Sequence, residues 1–290
     1  MIALAILFGT LRTATPLLLA GLGGMFSERG GVVNIALEGI LLVGAFAAAA
    51  ATAFTGSATI GLMAALFAGM LLALLHALAT LWIGVDQIVS GVALNLLALG
   101  LTEFLMWVFF GSGSNSPRLE FWVPSGFWGR FFTELPPLTL FALAAVPLSA
   151  LLLFRTRFGL RLRSVGEHPE AAASLGIPVL RMRLWGVLLS GALAGLGGAF
   201  LSLNAHYFVK NMSAGRGFIA LAALIFGKWK PWGLLVATLL FGFAEALQGH
   251  LHVPWLPVRF VQMLPYLLTM IALVGVIGKS RAPAALGKKL

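Results

Sequence analysis

Long apolar runs recur along this chain of 290 residues, and most of them are long enough to cross a lipid bilayer. A membrane-spanning helix needs about 20 mostly apolar residues, because each residue adds about 1.5 Å across a hydrocarbon core of about 30 Å. Hydrophobic residues make up 60% of the chain and charged residues 10%, a composition that could not cover a water-soluble surface. The sequence therefore predicts one all-α, polytopic membrane domain over residues 1–290.

About nine segments of the chain match this requirement. They lie at Leu7–Met25, Val33–Phe54, Ile60–Ile83, Ile88–Phe110, Leu138–Phe154, Leu184–Asn204, Ala214–Gly227, Trp232–Gln248 and Val258–Ile277. The seventh is short for a full crossing, so we expect it either to be re-entrant, which a membrane tolerates only where protein covers the backbone, or to be completed by flanking residues. Two longer polar stretches separate the segments, an outer loop over residues 111–137 and a charged island over residues 155–183.

The basic residues predict the orientation of the chain. The formal charge is +10, but the Lys and Arg residues lie in loops between apolar runs and form no basic stripe, so nucleic acid is not expected as a partner. If the segments alternate sides, thirteen of the 19 basic residues share the side of the island, and five lie opposite. Because cytoplasmic loops are enriched in Lys and Arg, this bias predicts a cytoplasmic island and C-terminus and an outer N-terminus.

The outer loop is rich in proline and in aromatic residues. Its prolines interrupt any long helix. Its aromatic side chains indicate either an interfacial aromatic belt or a docking surface for an external partner. These aromatic residues are Phe121, Trp122, Phe127, Trp128, Phe131 and Phe132.

The residues predict no cofactor, metal or catalytic site in this chain. Cysteine is absent, and no H-E-x-x-H or G-x-S-x-G pattern occurs, so an intramembrane enzyme is not favoured. The stretch from Gly275 to Ser280 resembles a phosphate loop, but its first glycine would have to stand at Leu273. If transport is driven by ATP, the nucleotide must be bound by another polypeptide.

Small and polar residues inside the apolar runs carry further predictions. Gly191 and Gly195 form a GxxxG pattern, which favours close packing of helices within the chain over a subunit interface. Polar groups are costly in hydrocarbon and normally face protein or water. The candidates for a substrate path are Asn34, Glu38, Gln87, Asn95 and Glu103.

Spacing groups these five polar residues into two sets. Asn34 and Glu38 are one helical turn apart, and Gln87, Asn95 and Glu103 are spaced by eight, so we expect each set to share one helix face. Lining a transport path and hydrogen-bonding neighbouring helices are equally compatible with this pattern. A secondary transporter driven by an ion gradient would require paired ionisable groups and matched broken helices, which are not evident.

The charged island contains a short predicted helix. Pro169 precedes a run of good helix formers, and Gly176 is suited to a left-handed C-terminal cap, after which Pro178 prevents continuation. The sequence therefore predicts a helix over Pro169–Leu175. Such a short helix is marginal by itself, which indicates that a partner holds it.

The residues of the island resemble the coupling loop with which permease subunits of ABC importers dock into their ATPase. Glu170, Ala171 and Ala172 followed by Gly176 carry this resemblance, together with the flanking Gly166, Glu167 and Pro169. Four other stretches resemble the branch of these permeases that imports simple sugars and nucleosides. They are Phe26–Phe46, Asp86–Thr102, Leu188–Leu203 and Asn211–Gly233.

This resemblance implies an ATP-driven importer of nucleosides or simple sugars that works by alternating access in the bacterial plasma membrane. It implies three kinds of protein partner, namely a second and different permease, a cytoplasmic ATPase and an extracytoplasmic substrate-binding lipoprotein. Membrane lipid surrounds the chain in this arrangement. The seven island residues would contact the ATPase, and the substrate would be selected largely by the binding protein.

Overall fold

A computed structural model describes residues 2–121, 134–250 and 281–288 of the chain. The regular elements of these residues are helical, and an isolated antiparallel bridge joins Asn115 and Val209. The helices are α1 Ile2–Arg29, α2 Leu37–Thr55, α3 Ala58–Ala77 with a π turn at Leu78–Trp82, α4 Gln87–Phe110, α5 Pro137–Arg155, α6 Arg157–Glu167, α7 Pro169–Ser174, α8 Val179–Ala205, α9 Arg216–Phe226 and α10 Pro231–His250. The predicted all-α helix bundle is thus confirmed.

Seven helices in the described residues are long and apolar enough to cross a membrane. They are α1 to α5, α8 and α10, and they correspond to the first six predicted segments and the eighth. The seventh predicted segment is α9, whose 11 residues extend about 16 Å, roughly half of a hydrocarbon core. The ninth segment, Val258–Ile277, and the outer-loop aromatics from Trp122 onward lie outside the described residues. The total of nine and the orientation therefore stay predictions.

Local chemistry explains where α4 begins and ends. The carboxylate of Asp86 accepts the N–H groups of Ile88 and Val89, at 2.9 and 3.0 Å, and so satisfies two donors that the first turn leaves free. At the other end Gly111 has a left-handed φ of 63°, a conformation that glycine adopts without steric cost. Asp86 and Gly111 thus set the two ends of α4, and the apolar residues between them form the membrane-spanning helix.

Helix α8 packs against α1, α2 and α3 at the centre of the bundle. Glycines make this close approach possible, because the facing helix backbones lie where a Cβ would stand. Gly191 contacts the backbone of Gly69, and Gly195 contacts the backbone of Ala65. The prediction that the GxxxG pattern packs helices within the chain is confirmed.

The chain between α1 and α2 is not helical over residues 30–36. Gly31 has a φ of 89°, which takes the backbone out of the helical conformation. The prediction that Val33–Phe54 is one helix, with Asn34 and Glu38 on one face, is therefore wrong, because Asn34 precedes α2. We call residues 30–36 the α1–α2 break.

Candidate functional site

The charged island folds into two short helices, α6 and α7, joined at His168. Helix α6 begins after Thr156, whose hydroxyl oxygen accepts the Gly159 N–H at 3.1 Å. Helix α7 covers Pro169–Ser174, and Gly176 follows it with a left-handed φ of 76°. The predicted helix and its glycine cap are confirmed, with α7 ending one residue earlier than predicted.

Helix α7 lies at the surface and buries only Ala172. Glu170 and Ala171 are exposed, and Leu175 leaves 80% of its surface uncovered. An isolated helix of six residues is marginal in water, and leaving a leucine side chain in water forgoes about 2 kcal/mol of burial free energy. This exposed surface is therefore suited to contact with a second protein.

The residues just before α7 are held within this chain. Gly166 is buried against the end of α1, where a Cβ would overlap the carbonyl oxygen of Arg29. The Gly166 carbonyl accepts the Ala285 N–H at 2.9 Å, and Glu167 Oε2 accepts the Ala284 N–H at 3.1 Å. Two predicted coupling residues thus face the C-terminal part of the chain, and the other five lie on or beside α7.

Two polar side chains bind Val33 in the middle of the α1–α2 break. Gln87 Oε1 accepts the Val33 N–H at 2.7 Å, and the Val33 carbonyl lies 3.0 Å from His76 Nε2. His76 Nδ1 in turn lies 3.0 Å from Ser90 Oγ, and both Gln87 and His76 are buried. Irregular backbone inside a membrane protein needs such partners, because no bulk water reaches its N–H and C=O groups.

Asn95 joins the end of the break to the start of α2. Its Oδ1 accepts the Gly39 N–H at 2.8 Å, and its Nδ2 donates to the Ile35 carbonyl at 3.0 Å. Gln87 and Asn95 thus share one face of α4, as their spacing predicts. Both side chains bind the backbone of the same segment.

Asn34 lies within the break and is completely buried. Its Nδ2 donates to Ser190 Oγ of α8 at 2.9 Å. Its Oδ1 is also buried, and no donor within the described part of the chain hydrogen-bonds to it. Asn34 therefore keeps one acceptor that its protein surroundings do not use.

Glu38 connects the first turn of α2 to the start of α9. Its Oε1 accepts the Gly215 N–H and its Oε2 accepts the Gly217 N–H, each at 2.7 Å. A carboxylate is favourable here because the first N–H groups of a helix have no partner within that helix. Gly217 also packs directly against the Glu38 backbone, so α2 and α9 form one tightly joined pair.

Glu103 lies apart from the other predicted path residues. It forms an ion pair with Lys210 at 2.6 Å, and the two side chains are 47% and 51% exposed. The spacing of eight that relates Glu103 to Asn95 therefore does not bring it to the break. The structure brings together the other four residues, all of which contact or belong to the segment at 30–39.

Sequence reasoning missed α6, Ser190 and the C-terminal residues that bind Gly166 and Glu167. Helix α6 had a usable signal, because its buried residues recur at helical spacing, with Leu162 and Val165 three positions apart. Ser190 had none, since a serine in an apolar helix shows nothing of its partner. The C-terminal contacts also had no signal, because they are made by backbone N–H groups of alanines, which any residue but proline could supply.

Comparison with known proteins identifies the chain. Over residues 6–273 it matches the family described as the permease component of the branched-chain amino acid transport system. The chain belongs to this permease family. It is 44% identical to the guanosine ABC transporter permease protein NupQ of Bacillus subtilis (strain 168), over 96% of this chain and 93% of that protein. It is 42% identical to the nucleoside ABC transporter permease protein NupC of Lactococcus lactis subsp. cremoris (strain MG1363), over 94% and 92% of the two chains.

Two further similarities concern a second permease and the fold. The guanosine ABC transporter permease protein NupP of Bacillus subtilis (strain 168) is 29% identical, over 84% of this chain and 73% of that protein. A solved structure of an ABC transporter described as metal-chelate type, in an inward-facing conformation, shares the fold with a TM-score of 0.51 at 16% identity. That match covers 93% of this chain and 85% of the solved chain.

These findings decide between the transport mechanisms that the sequence left open. The chain is a multi-pass membrane protein and a permease subunit of an ATP-driven ABC importer. The alternative of a secondary transporter driven by an ion gradient is set aside, because the relatives that match nearly the whole chain are ABC permeases.

Proposed function

We propose that this chain carries nucleosides across the bacterial plasma membrane by alternating access, paired with a second and different permease. The similarity to NupQ and NupC supports nucleosides as the substrate class. The slightly lower identity of 39% to TsgC13, an ABC transporter permease protein of Haloferax volcanii that is named for glucose, makes a simple sugar the alternative. The weaker similarity to NupP, a second permease that is named for the same substrate in the same organism, supports a heterodimer. A separate cytoplasmic ATPase would hydrolyse ATP, and an extracytoplasmic lipoprotein would deliver the substrate.

The exposed surface of α7 is the observation that carries the coupling part of this proposal. Pro169, Glu170, Ala171 and Gly176 would form the surface that enters a cleft of the ATPase, and the buried Ala172 would hold α7 against the rest of the chain. Gly166 and Glu167 would connect that surface to the membrane bundle through the contacts already described. The chain itself would bind no cofactor.

The four polar residues at the α1–α2 break form the proposed border of the substrate path. Asn34 and Glu38 belong to the break and to α2, and Gln87 and Asn95 bind the backbone of the same region. The unused Oδ1 of Asn34 supports a role in a polar path, since such an atom is costly unless water or substrate reaches it. For Glu103 the path assignment stays a prediction, and its ion pair with Lys210 offers an alternative role.

The proposed orientation puts residues 155–183 in the cytoplasm as the coupling loop and residues 111–137 outside. The cysteine-free sequence permits a direct test with single cysteines at Ser164 and Ser114. An impermeant thiol reagent should label S114C in intact cells and should label S164C only after the membrane is opened. Labelling of S164C in intact cells would show that the orientation is opposite to the one proposed.

The transport activity is tested by reconstituting the chain with its partner permease, ATPase and binding protein in proteoliposomes. ATP should drive uptake of labelled guanosine, and unlabelled nucleosides should compete while ribose and glucose should not. Competition by the sugars and not by the nucleosides would show that the substrate is a sugar. Uptake that continues without ATP would contradict the mechanism.

A further inference from the structure

Residues 284–288, which we call the C-terminal strap, form hydrogen bonds with three separate parts of the chain. On one side Ala284 and Ala285 donate their N–H groups to Glu167 and Gly166 at the end of α6. On the other side the Gly287 N–H donates to the Gly31 carbonyl of the α1–α2 break at 3.2 Å. The strap therefore connects the helices proposed to meet the ATPase with the break proposed to border the substrate path.

Arg183 of α8 supplies the third contact. Its Nη1 donates to the Lys288 carbonyl at 3.0 Å, and the whole side chain is 1% exposed. Its Nε and Nη2 are buried and have no hydrogen-bond partner in the described ranges. A buried guanidinium that uses so few of its donors is costly, which argues that this contact serves more than stability.

The strap packs tightly against Gly31. A Cβ at Gly31 would lie 3.3 Å from the Ala285 carbonyl oxygen and 3.1 Å from Arg183 Nη2. Ala285 itself is 1% exposed, and Gly287 has a left-handed φ of 77°. The strap is thus anchored at the buried Ala285, while Ala284, Gly287 and Lys288 stay exposed.

The two ends of this connection lie close in sequence to the residues with proposed functions. Gly166 and Glu167 directly precede α7, and Gly31 is two residues before Val33, which Gln87 binds. The end of α6 also touches the end of α1 directly at Gly166. A strap bonded to both sides would keep this contact closed while α7 is moved.

We propose that the C-terminal strap clamps the end of α6 to the α1–α2 break, so that movement of α7 by the ATPase is transmitted to the substrate path. Ala285, Gly287 and Arg183 are positioning residues for this step, since none of them would touch ATP. The inference rests on the proposed function for one point, namely that movement starts at the ATPase and ends at the substrate path. Its structural content, that the strap joins the two regions, rests on the contacts alone.

The first test measures uptake and ATP hydrolysis together in reconstituted proteoliposomes. Ala285→Pro removes the N–H that binds Gly166, and we expect guanosine uptake per ATP hydrolysed to fall by about fivefold or more. Arg281→Gln is the control, because Arg281 is exposed and lies four residues before Ala285, outside the strap, and its ratio should equal that of the wild type. An unchanged ratio for Ala285→Pro would overturn the proposal, as would a loss of thermal stability with the ratio retained.

A second test does not depend on the transported substrate. Hydrogen exchange in the assembled complex, with and without ATP and vanadate, reports on the α6–α7 helices and on residues 30–36 separately. In the wild type both regions should change protection on trapping. In Ala285→Pro the α6–α7 change should persist and the change at 30–36 should be lost, whereas changes in both regions would overturn the proposal.

The two proposals can fail separately. If the wild-type complex does not transport guanosine, the proposed substrate is wrong, but the hydrogen-exchange comparison still tests the strap. If the wild type transports guanosine and Ala285→Pro behaves like Arg281→Gln in both assays, the strap has no coupling role.

Discussion

The α1–α2 break and helix α7 are both short, but polar side chains serve the two regions in opposite ways. At the break, Gln87 and Asn95 of α4 form hydrogen bonds with backbone groups of residues 33–39. On α7 Glu170 is exposed and Leu175 is mostly uncovered. Inside the bundle polar side chains replace water, whereas the Glu170 side chain on α7 is exposed and available to a partner.

This difference shows why residue type alone does not identify a functional site in a membrane protein. A buried polar side chain already has a structural task, because each unpaired N–H or C=O group in a dry interior costs free energy. An exposed one has no such task. The following predictions test whether the two regions separate in this way, from the largest expected effect to the smallest.

Substitutions on α7 should abolish coupling without affecting the fold. Glu170→Lys reverses an exposed charge, and Gly176→Pro replaces a residue with a left-handed φ by one that cannot adopt it. We expect ATP-dependent uptake to fall by about 150-fold, the effect of losing about 3 kcal/mol at a central interface residue. Uptake and co-purification of the ATPase should be measured together, and normal uptake in both variants would remove α7 from the coupling site.

Removal of the Glu38 carboxylate should instead destabilise the bundle. Glu38→Ala leaves the N–H groups of Gly215 and Gly217 without their acceptor, and we expect a loss of about 3 kcal/mol in the free energy of unfolding. Unfolding in mixed micelles with increasing SDS measures this loss. A variant as stable as the wild type but defective in transport would show that Glu38 serves the path and not the packing of α9.

Asn95→Ala tests the same distinction with a neutral side chain. Because one N–H and one C=O of the segment at 35–39 lose their partner, we expect a loss of about 2 kcal/mol in the free energy of unfolding. If Asn95 also lines the path, uptake per folded complex should fall while basal ATP hydrolysis persists. Normal uptake per folded complex, together with lower stability, would make Asn95 a structural residue only.

Glu103→Gln should have the smallest effect. Its ion pair with Lys210 is about half exposed, and exposed pairs contribute little, so we expect a change in stability within about 0.5 kcal/mol. The same unfolding assay gives the value. A clear loss of uptake at unchanged stability would show that Glu103 lines the substrate path. Polar residues of the membrane helices could then serve transport without binding the α1–α2 break.

Much of the bundle was predictable because the signals are local. The first six predicted spans correspond to helices, and the helix at Pro169 with its cap at Gly176 is present. The error at Val33–Phe54 has a clear cause, since an apolar run is equally compatible with a helix and with buried irregular backbone. Contacts from distant residues, among them Gln87, His76 and Asn95, make the second possibility stable.

By itself the sequence determined that this chain crosses a membrane repeatedly and carries a short exposed helix in its charged island, because length, hydropathy and helix-end residues act over a few turns. The tertiary structure decided which polar side chain serves which backbone group. Asn95 and Gly39 are 56 positions apart, and Glu38 and Gly217 are 179 apart. No local pattern records such pairings, because they form only when separate helices pack and each buried polar group has to find a partner.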